Sequence, residues 1–336
     1  MKQRIISIHQ KTPTLFKSKI GRIIKDEFKL DVSDEAARHI VKNVLRDFKQ
    51  YGTTQVETNK VVGEFNWRKA TKFLKSGQKL FKKASSNQDY ATVKIDTEEP
   101  ICVVCIGDLH MGSWATDYDL FTQVTDEIIN TPNLFVILVG DLLQMSIKLR
   151  GVLEVSDNAL PPKYQMMFLD SWLNEIKHKV ICSTWSNHEV MREEVASGFS
   201  QAANIMSKYG IYHNHIGHLD LQVGNEVYNI AASHFFRGKS IENPNHGAMR
   251  YMRREGIDRE ICMAGDSHVP GMIKYTDGGK VRVAINSGTT QTNSGYGKRF
   301  FSLTTHPVFP CVVLSPESHQ VSPMWSIAEW LDMKSL

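Results

Sequence analysis

Residues 101–110 read ICVVCIGDLH. Ile101–Ile106 is an unbroken apolar run, rich in β-branched residues and shorter than a helix needs. It predicts a buried strand, and the polar cluster Asp108-Leu109-His110 follows directly after Gly107. The same arrangement recurs down the chain. Leu134–Val139 leads into Gly140-Asp141. Val180–Thr184 leads into Ser186-Asn187-His188-Glu189. Val227–Ser233 ends at His234, and Ile261–Ala264 at Gly265-Asp266-Ser267-His268. Val281–Asn286 is a sixth run, leaving through Ser287-Gly288-Thr289-Thr290. Helical stretches fall between several of these runs, at Tyr118–Ile129 and Met166–Ile176. Strands alternating with helices predict an α/β fold. In such folds the carboxyl ends of the strands share a rim where ligands bind. Five clusters of Asp, Asn and His therefore converge in one place.

Carboxylate, imidazole and amide-oxygen donors together suit borderline divalent ions such as Mn²⁺, Fe²⁺ or Zn²⁺. Two ions held close together can clamp a phosphate and activate a water. Other histidines read differently. His213, His215 and His218 form H-x-H-x-x-H, in a segment that looks like a turn before a strand. Arg237 and Lys239 lie just after His234, either within reach of a substrate phosphate or as exposed loop charges. The five cysteines, Cys102, Cys105, Cys182, Cys262 and Cys311, sit in or beside apolar runs and read as buried free thiols. Cys102 and Cys105 are three apart in one strand, so their sulfurs point to opposite faces.

The order of the clusters resembles the calcineurin-like metallophosphoesterase family, whose pattern is D-x-H, G-D, G-N-H-[DE], a lone H, and G-H-x-H. The resemblance covers roughly residues 101–290. It implies a β-sandwich flanked by helices and a site holding two divalent ions, Mn²⁺ first, with Fe²⁺ and Zn²⁺ also suited. Asp108, His110 and His268 would hold one ion, Asn187 and His234 the other, and Asp141 would bridge them. His188 would protonate the leaving oxygen as general acid while a hydroxide between the ions attacks phosphorus. Glu189 would orient His188 or shape the turn. Two positions depart from the pattern. Asp266 stands where the family has a His ligand, and its carboxylate suits the same ions. Ser186 stands where Gly is usual. The run Gly140-Asp141-Leu142-Leu143-Gln144-Met145-Ser146 lacks the Asp-Arg-Gly of the family's protein phosphatases, which argues against that branch.

Residues 1–90 carry 20 Lys/Arg against 9 Asp/Glu, a net of +11, while the remainder carries 20 against 27, a net of −7. A basic arm on an acidic body suggests a polyanion such as nucleic acid. The resemblance then points towards the family's DNA-repair nucleases and a DNA- or RNA-acting phosphodiesterase. A small-molecule phosphodiesterase or phosphatase is one alternative, and a catalytically degenerate nucleic-acid-binding protein another. The arm itself reads as helical. Phe16, Ile20, Ile23, Ile24 and Phe28 recur at helical spacing. Ser33 caps a second helix with Ala36, Ala37, Ile40, Val41, Val44, Leu45 and Phe48 inward, and the short link between the two permits a helix-turn-helix. A third helix over Phe65–Lys83 places Ala70, Phe73, Leu74, Gly77 and Phe81 on one face. Arg68, Lys72, Lys75, Lys79 and Lys82 line another, suited to a phosphate backbone.

These readings divide the chain into a basic helical domain at 1–90, a linker at 91–100 whose middle could form a short strand, and the phosphoesterase domain at 101–336. Phe309–Leu314 reads as a further strand, Trp325–Leu331 as a closing helix, and Gly295–Arg299 as a mobile loop near the site. With 41% hydrophobic and 23% charged residues the composition is ordinary for a globular protein. No apolar run approaches the roughly 20 residues of a membrane span, and Met1–Ile8 has no signal-peptide pattern. The expected location is the cytoplasm.

Overall fold

A computed structural model describes residues 1–51, 67–85, 89–147, 157–238, 240, 242–254, 258–292 and 308–334. The chain divides into two compact units, Met1–Phe73 and Leu74–Leu336.

The first unit holds α1 (Lys2–Lys11), α2 (Lys17–Glu27) and α3 (Asp34–Tyr51). Ser33 starts α3 by accepting the Ala36 amide on its Oγ at 3.1 Å, and Asp34 and Glu35 face the positive end of the helix. The apolar stripes meet in a core of Ile5, Ile20, Ile24, Val41, Val44 and Leu45. Gly21 lets α2 approach closely, since a Cβ there would stand 3.1 Å from the Ala37 carbonyl carbon. Six residues, 28–33, link α2 to α3. That is longer than the roughly three- or four-residue turn of a helix-turn-helix. A fourth helix, α4 (Trp67–Ser85), continues across the unit boundary. Phe73 and Leu74 are exposed on it, so the apolar face expected there is not a buried stripe. Phe65 and the side chain of Phe81 lie outside the described residues.

The second unit begins with β1 (Tyr90–Ile95). This segment falls in the stretch expected as a linker, but it pairs in parallel along β6 (Gly217–Val223) and so belongs to a sheet. The remaining strands are β2 (Ile101–Ile106), β3 (Leu134–Leu138), β4 (Val180–Thr184), β5 (Ile211–His213), β7 (Glu226–Ala232), β8 (Ile261–Ala264), β9 (Gly271–Asp277), β10 (Lys280–Asn286), β11 (Cys311–Leu314) and β12 (Val321–Met324). They form two six-stranded sheets, ordered β1-β6-β7-β8-β10-β9 and β12-β11-β2-β3-β4-β5.

The period-two geometry of β2 shows how the layers assemble. Ile101, Val103 and Cys105 point into the core between the sheets, against Leu219, Ile230 and Val283. Cys102, Val104 and Ile106 point the other way, into a core with Phe121, Leu169, Trp172, Ile205 and Trp330. Those residues come from α5 (Tyr118–Asn130), α6 (Pro162–Ile176), α8 (Gln201–Tyr209) and α10 (Ile327–Lys334). All six β2 side chains are buried, each contributing about 1.5–3 kcal/mol. The other sheet is covered by α9 (His246–Arg254) through Ala248, Tyr251 and Met252. All five cysteines are buried free thiols, and Cys102 and Cys105 face different cores. Among the described residues no helix is long and apolar enough to cross a membrane.

The strand ends bearing the polar clusters belong to both sheets. β2, β3 and β4 lie side by side in one, and β7 and β8 in the other. The clusters therefore meet across the edge of the sandwich rather than along the rim of a single sheet.

Candidate metal centre

Beyond β2 and β3 the parallel ladder continues into the loops. Asp108 N donates to Gly140 O at 3.0 Å, His110 N to Asp141 O at 3.0 Å and Met111 N to Leu142 O at 2.8 Å. These bonds hold Asp108, His110 and Asp141 in left-handed backbone, with φ of 52°, 48° and 51°. Asp266 and His268 have φ of 70° and 56°. Such conformations cost L-residues of order 1–2 kcal/mol each and persist only where the surroundings enforce them. Five of the eight non-glycine residues with positive φ among those described are thus in this one place. Gly107-Asp108-Leu109-His110 and Gly265-Asp266-Ser267-His268 share G-D-x-H spacing and the same two left-handed positions. Gly265 has its own reason: a Cβ there would stand 2.8 Å from Asp108 Oδ2.

The side chains converge. Asp108, His110 and His268 form one group of ligand atoms, His110, Asp141 and His188 a second, and Asp108, Asp141 and His234 a third, all within 4.8 Å inside each group. His110 Nε2 lies 3.1 Å from His268 Nε2, and His268 Nε2 lies 3.5 Å from Asp108 Oδ1. His234 Nε2 is 3.2 Å from Asp141 Oδ2 and 3.8 Å from Asp266 Oδ1. The backbone amide of Asp266 donates to Asp108 Oδ2 at 2.9 Å. His234 Nδ1 donates to Val139 O at 2.8 Å, which fixes its tautomer and turns Nε2 into the site. The Asn187 amide lies against both oxygens of Asp141, at 3.0 and 3.1 Å, and against His234 Nε2. All seven residues expected to hold metal are brought together, with Asp266 at the edge.

Residues 187–191 form a single π-turn, a local form often found at functional sites. It leads into α7 (Arg192–Ser197) and carries His188 and Glu189. His188 N donates to Asp141 Oδ1 at 3.0 Å. Its ring is fixed by chemistry on both sides. A carbonyl only accepts, so Nδ1, 2.8 Å from Gln144 O, bears the proton. A guanidinium only donates, so Nε2, 3.1 Å from Arg192 Nη2, accepts. His188 is therefore a neutral imidazole here. Buried Arg192 also donates from Nη1 to Gln144 O at 2.9 Å and Met145 O at 3.2 Å. Sequence reading missed Arg192; its signal was the four-residue spacing from His188 on one helical face. Glu189 does not touch the His188 ring. It is buried and accepts from Leu142 N at 3.2 Å, latching the Asp141 loop to the π-turn. Burial, reinforced by Asp141, raises its pKa to about 7.

The electrostatics are those of a crowded, buried set of donors. Burial pushes Asp108 well above the usual carboxylate range, with Asp141 and Asp266 adding to the effect against His234. Burial holds His110 well below its ordinary value. Burial likewise takes His268 down to about 4. Burial opposes the charge on Asp141, but the neighbouring imidazolium of His234 wins and keeps it ionised. Burial also opposes the charge on His234, but Asp141 raises it to about 10. One imidazolium is thus compensating a crowd of lone pairs. Divalent cations among the same atoms would favour every ligand in its deprotonated form. Asn187 adds an amide group to the same set, beside Asp141 and His234, and its oxygen suits the same ions. The residues fit a metal.

Other candidates lie elsewhere. His213 and His218 are buried, on β5 and β6, and join none of the groups of possible metal ligands found among the described residues. Arg237 is exposed. Lys239 and residues 295–299 lie outside the described residues.

No family model matches the sequence, and no curated protein matches it. Solved structures do. Vps29 from Entamoeba histolytica, complexed with Zn²⁺, is 14% identical over 67% of this chain and 99% of that one, with a TM-score of 0.34. A predicted phosphoesterase from Streptococcus pneumoniae is 14% identical over 68% and 99%, with a TM-score of 0.30. A metallophosphoesterase from Sphaerobacter thermophilus is 12% identical over 70% and 94%, with a TM-score of 0.34.

Proposed function

We propose that this protein is a metal-dependent phosphoesterase that hydrolyses phosphodiester bonds, with nucleic acid as the substrate class. The observation that carries the reading is the convergence of Asp108, His110, Asp141, Asn187, His188, His234, Asp266 and His268 across the sandwich edge, in overlapping groups of ligand atoms. Asp108, His110 and His268 would hold one divalent ion. Asn187, His234 and Asp266 would hold the other, and Asp141 would reach both. Mn²⁺ suits this mixed donor set, as do Fe²⁺ and Zn²⁺. Ions bound there supply Lewis acidity towards phosphate oxygens and lower the pKa of water.

The chain's own residues do the rest. The Val139 carbonyl and the Asp266 amide orient His234 and Asp108, so that neither has to reorganise during reaction. His188 stands beside the centre with Nε2 towards Arg192. To act as general acid, Nε2 must first gain a proton and give up the Arg192 bond. The fixed positive charge at that spot belongs to Arg192. His188 and Arg192 therefore act as a pair on the leaving oxygen, Arg192 by donating hydrogen bonds and His188 by passing a proton from Nε2.

Nucleic acid is favoured by the net +11 of residues 1–90 and by the exposed Arg68, Lys75 and Lys79 on α4. A reducing cytoplasmic location accords with five unpaired cysteines.

The test is hydrolysis of bis-p-nitrophenyl phosphate and of p-nitrophenyl phosphate with Mn²⁺. The diester should be the better substrate. Preference for the monoester would convert the reading to a phosphatase. No cleavage of either by protein with its full metal complement would support a binding role.

A further inference from the structure

Immediately beside the metal centre lies a cavity of about 320 Å³ whose walls include Phe235, Phe236, Pro244, Ala248, Asp266 and Val269. Two features tie it to the centre. Asp266 belongs to both, lining the cavity while its Oδ1 stands 3.8 Å from His234 Nε2. Phe235 is the residue directly after His234, so the chain that turns His234 inward presents a phenyl ring at the cavity mouth. The mouth is apolar and open to water: Phe235 is 42% exposed and Val269 40% exposed. Deeper in, Phe236 is buried with its ring 4.8 Å from that of Tyr251. Gly247 lets α9 lie close against the Phe236 backbone, where a Cβ would stand 2.5 Å from Phe236 O. The Phe235 ring is itself braced at a steep angle against Trp185 and His234, with centroids 6.2 Å apart in each case.

We propose that this cavity receives a nucleobase, that of the nucleotide whose phosphate lies at the metal centre. The inference rests on the phosphodiesterase reading and specifies its substrate. The size is at the small end of ligand sites and suits one planar ring system. The aromatic walls offer stacking faces that tolerate any base, and such stacking is worth roughly 5- to 150-fold in binding. The cavity is lined by Asp266 and not by His188 or Arg192, so the base falls on the ester arm away from the groups that serve the leaving oxygen, the arm that is retained. Water adds to phosphorus, the bond to the opposite ester oxygen breaks, and that oxygen leaves with a proton. The nucleoside monophosphate remains between cavity and metal centre.

Two substrates with the same leaving group test this. Thymidine 5′-(p-nitrophenyl phosphate) and methyl p-nitrophenyl phosphate both release p-nitrophenol, so the chemistry is matched and only the retained arm differs. The expected kcat/KM ratio is about tenfold or more in favour of the thymidine ester. Phe235→Ala and, separately, Val269→Glu should collapse that ratio to below about threefold. Equal kcat/KM for the two esters in the native protein, or a ratio unmoved by both substitutions, overturns the proposal. If neither ester is cleaved, the phosphodiesterase reading fails, and calorimetry on the Mn²⁺-loaded protein judges the cavity separately. Thymidine 5′-monophosphate binding about tenfold tighter than methyl phosphate would uphold it, and equal affinity would overturn it.

Discussion

The candidate metal centre and the amino-terminal helical unit are built on opposite principles. At the centre, five polar residues sit on left-handed backbone, and specific hydrogen bonds orient Asp108, Asp141 and His234. The helical unit packs a small aliphatic core and spreads its charge over exposed surface, in pairs such as Arg22 and Lys25 with Asp34. Function in the first depends on single atoms. Function in the second would depend on summed charge. Substitutions should therefore have large, individual effects in one region and small, additive ones in the other.

Asp141→Asn should have the largest effect. It removes charge from two of the three ligand groups, and kcat on a diester should fall on the order of 10³-fold. Retained activity would remove Asp141 from the centre. Arg192→Gln comes next. It takes a donor from His188 Nε2 and from two loop carbonyls, and kcat should fall roughly a hundredfold on alkyl esters. The loss should be smaller on p-nitrophenyl esters, whose leaving group needs little help. An equal loss on both would mark Arg192 as structural only. Gly265→Ala tests the crowding behind Asp108. Metal affinity should fall about 10–100-fold with the far-UV circular dichroism unchanged.

How much of this was readable in the sequence follows from the same contrast. β2, β4 and β8 were legible to the residue because both faces are buried and the runs are continuously apolar. Their polar tails carry five of the seven expected ligands, Asp108, His110, Asn187, Asp266 and His268, together with His188, while Asp141 follows β3 and His234 follows β7. β6 (GHLDLQV) and β9 (GMIKYTD) were missed because they alternate apolar with polar residues and so form no continuous apolar run. α9 (HGAMRYMRR) was missed because its buried face rests on Gly247 and Ala248, which carry little apolar signal. That two sheets share the site was not readable, since strand order is a long-range property. The tautomer of His188 was not readable either, as it depends on contacts with Gln144 O and Arg192 that only the folded loops create.

The helical unit makes a weaker prediction and a sharper control. Lys75→Glu with Lys79→Glu should weaken nucleic-acid binding and flatten its dependence on salt by about two counterions. Turnover of bis-p-nitrophenyl phosphate should persist. Unchanged affinity for DNA and RNA would separate the basic arm from the substrate.

The smallest expected effect lies outside both regions. His319 stacks on Tyr228 and meets Glu226 and Glu260 at 3.2 and 2.7 Å. Burial opposes its charge, but the Glu260 and Glu226 carboxylates raise its pKa. The stability it contributes is therefore full below its unfolded pKa, near 6.5, and is lost as pH rises through the higher folded value. The side chain is 47% exposed, which limits the contribution to below about 1 kcal/mol. Denaturant titrations of His319→Gln at pH 5.5 and 8.5 should differ from the native protein only at the lower pH.

The most direct test is elemental analysis of the native protein and of Asp141→Asn after equilibration with Mn²⁺, paired with the rate of bis-p-nitrophenyl phosphate hydrolysis on the same samples. Two Mn²⁺ per native chain, at most one in the variant, and hydrolysis only in the native sample are the expected result. A native chain that binds no Mn²⁺, Fe²⁺ or Zn²⁺, or a variant that keeps two ions and full activity, would contradict it.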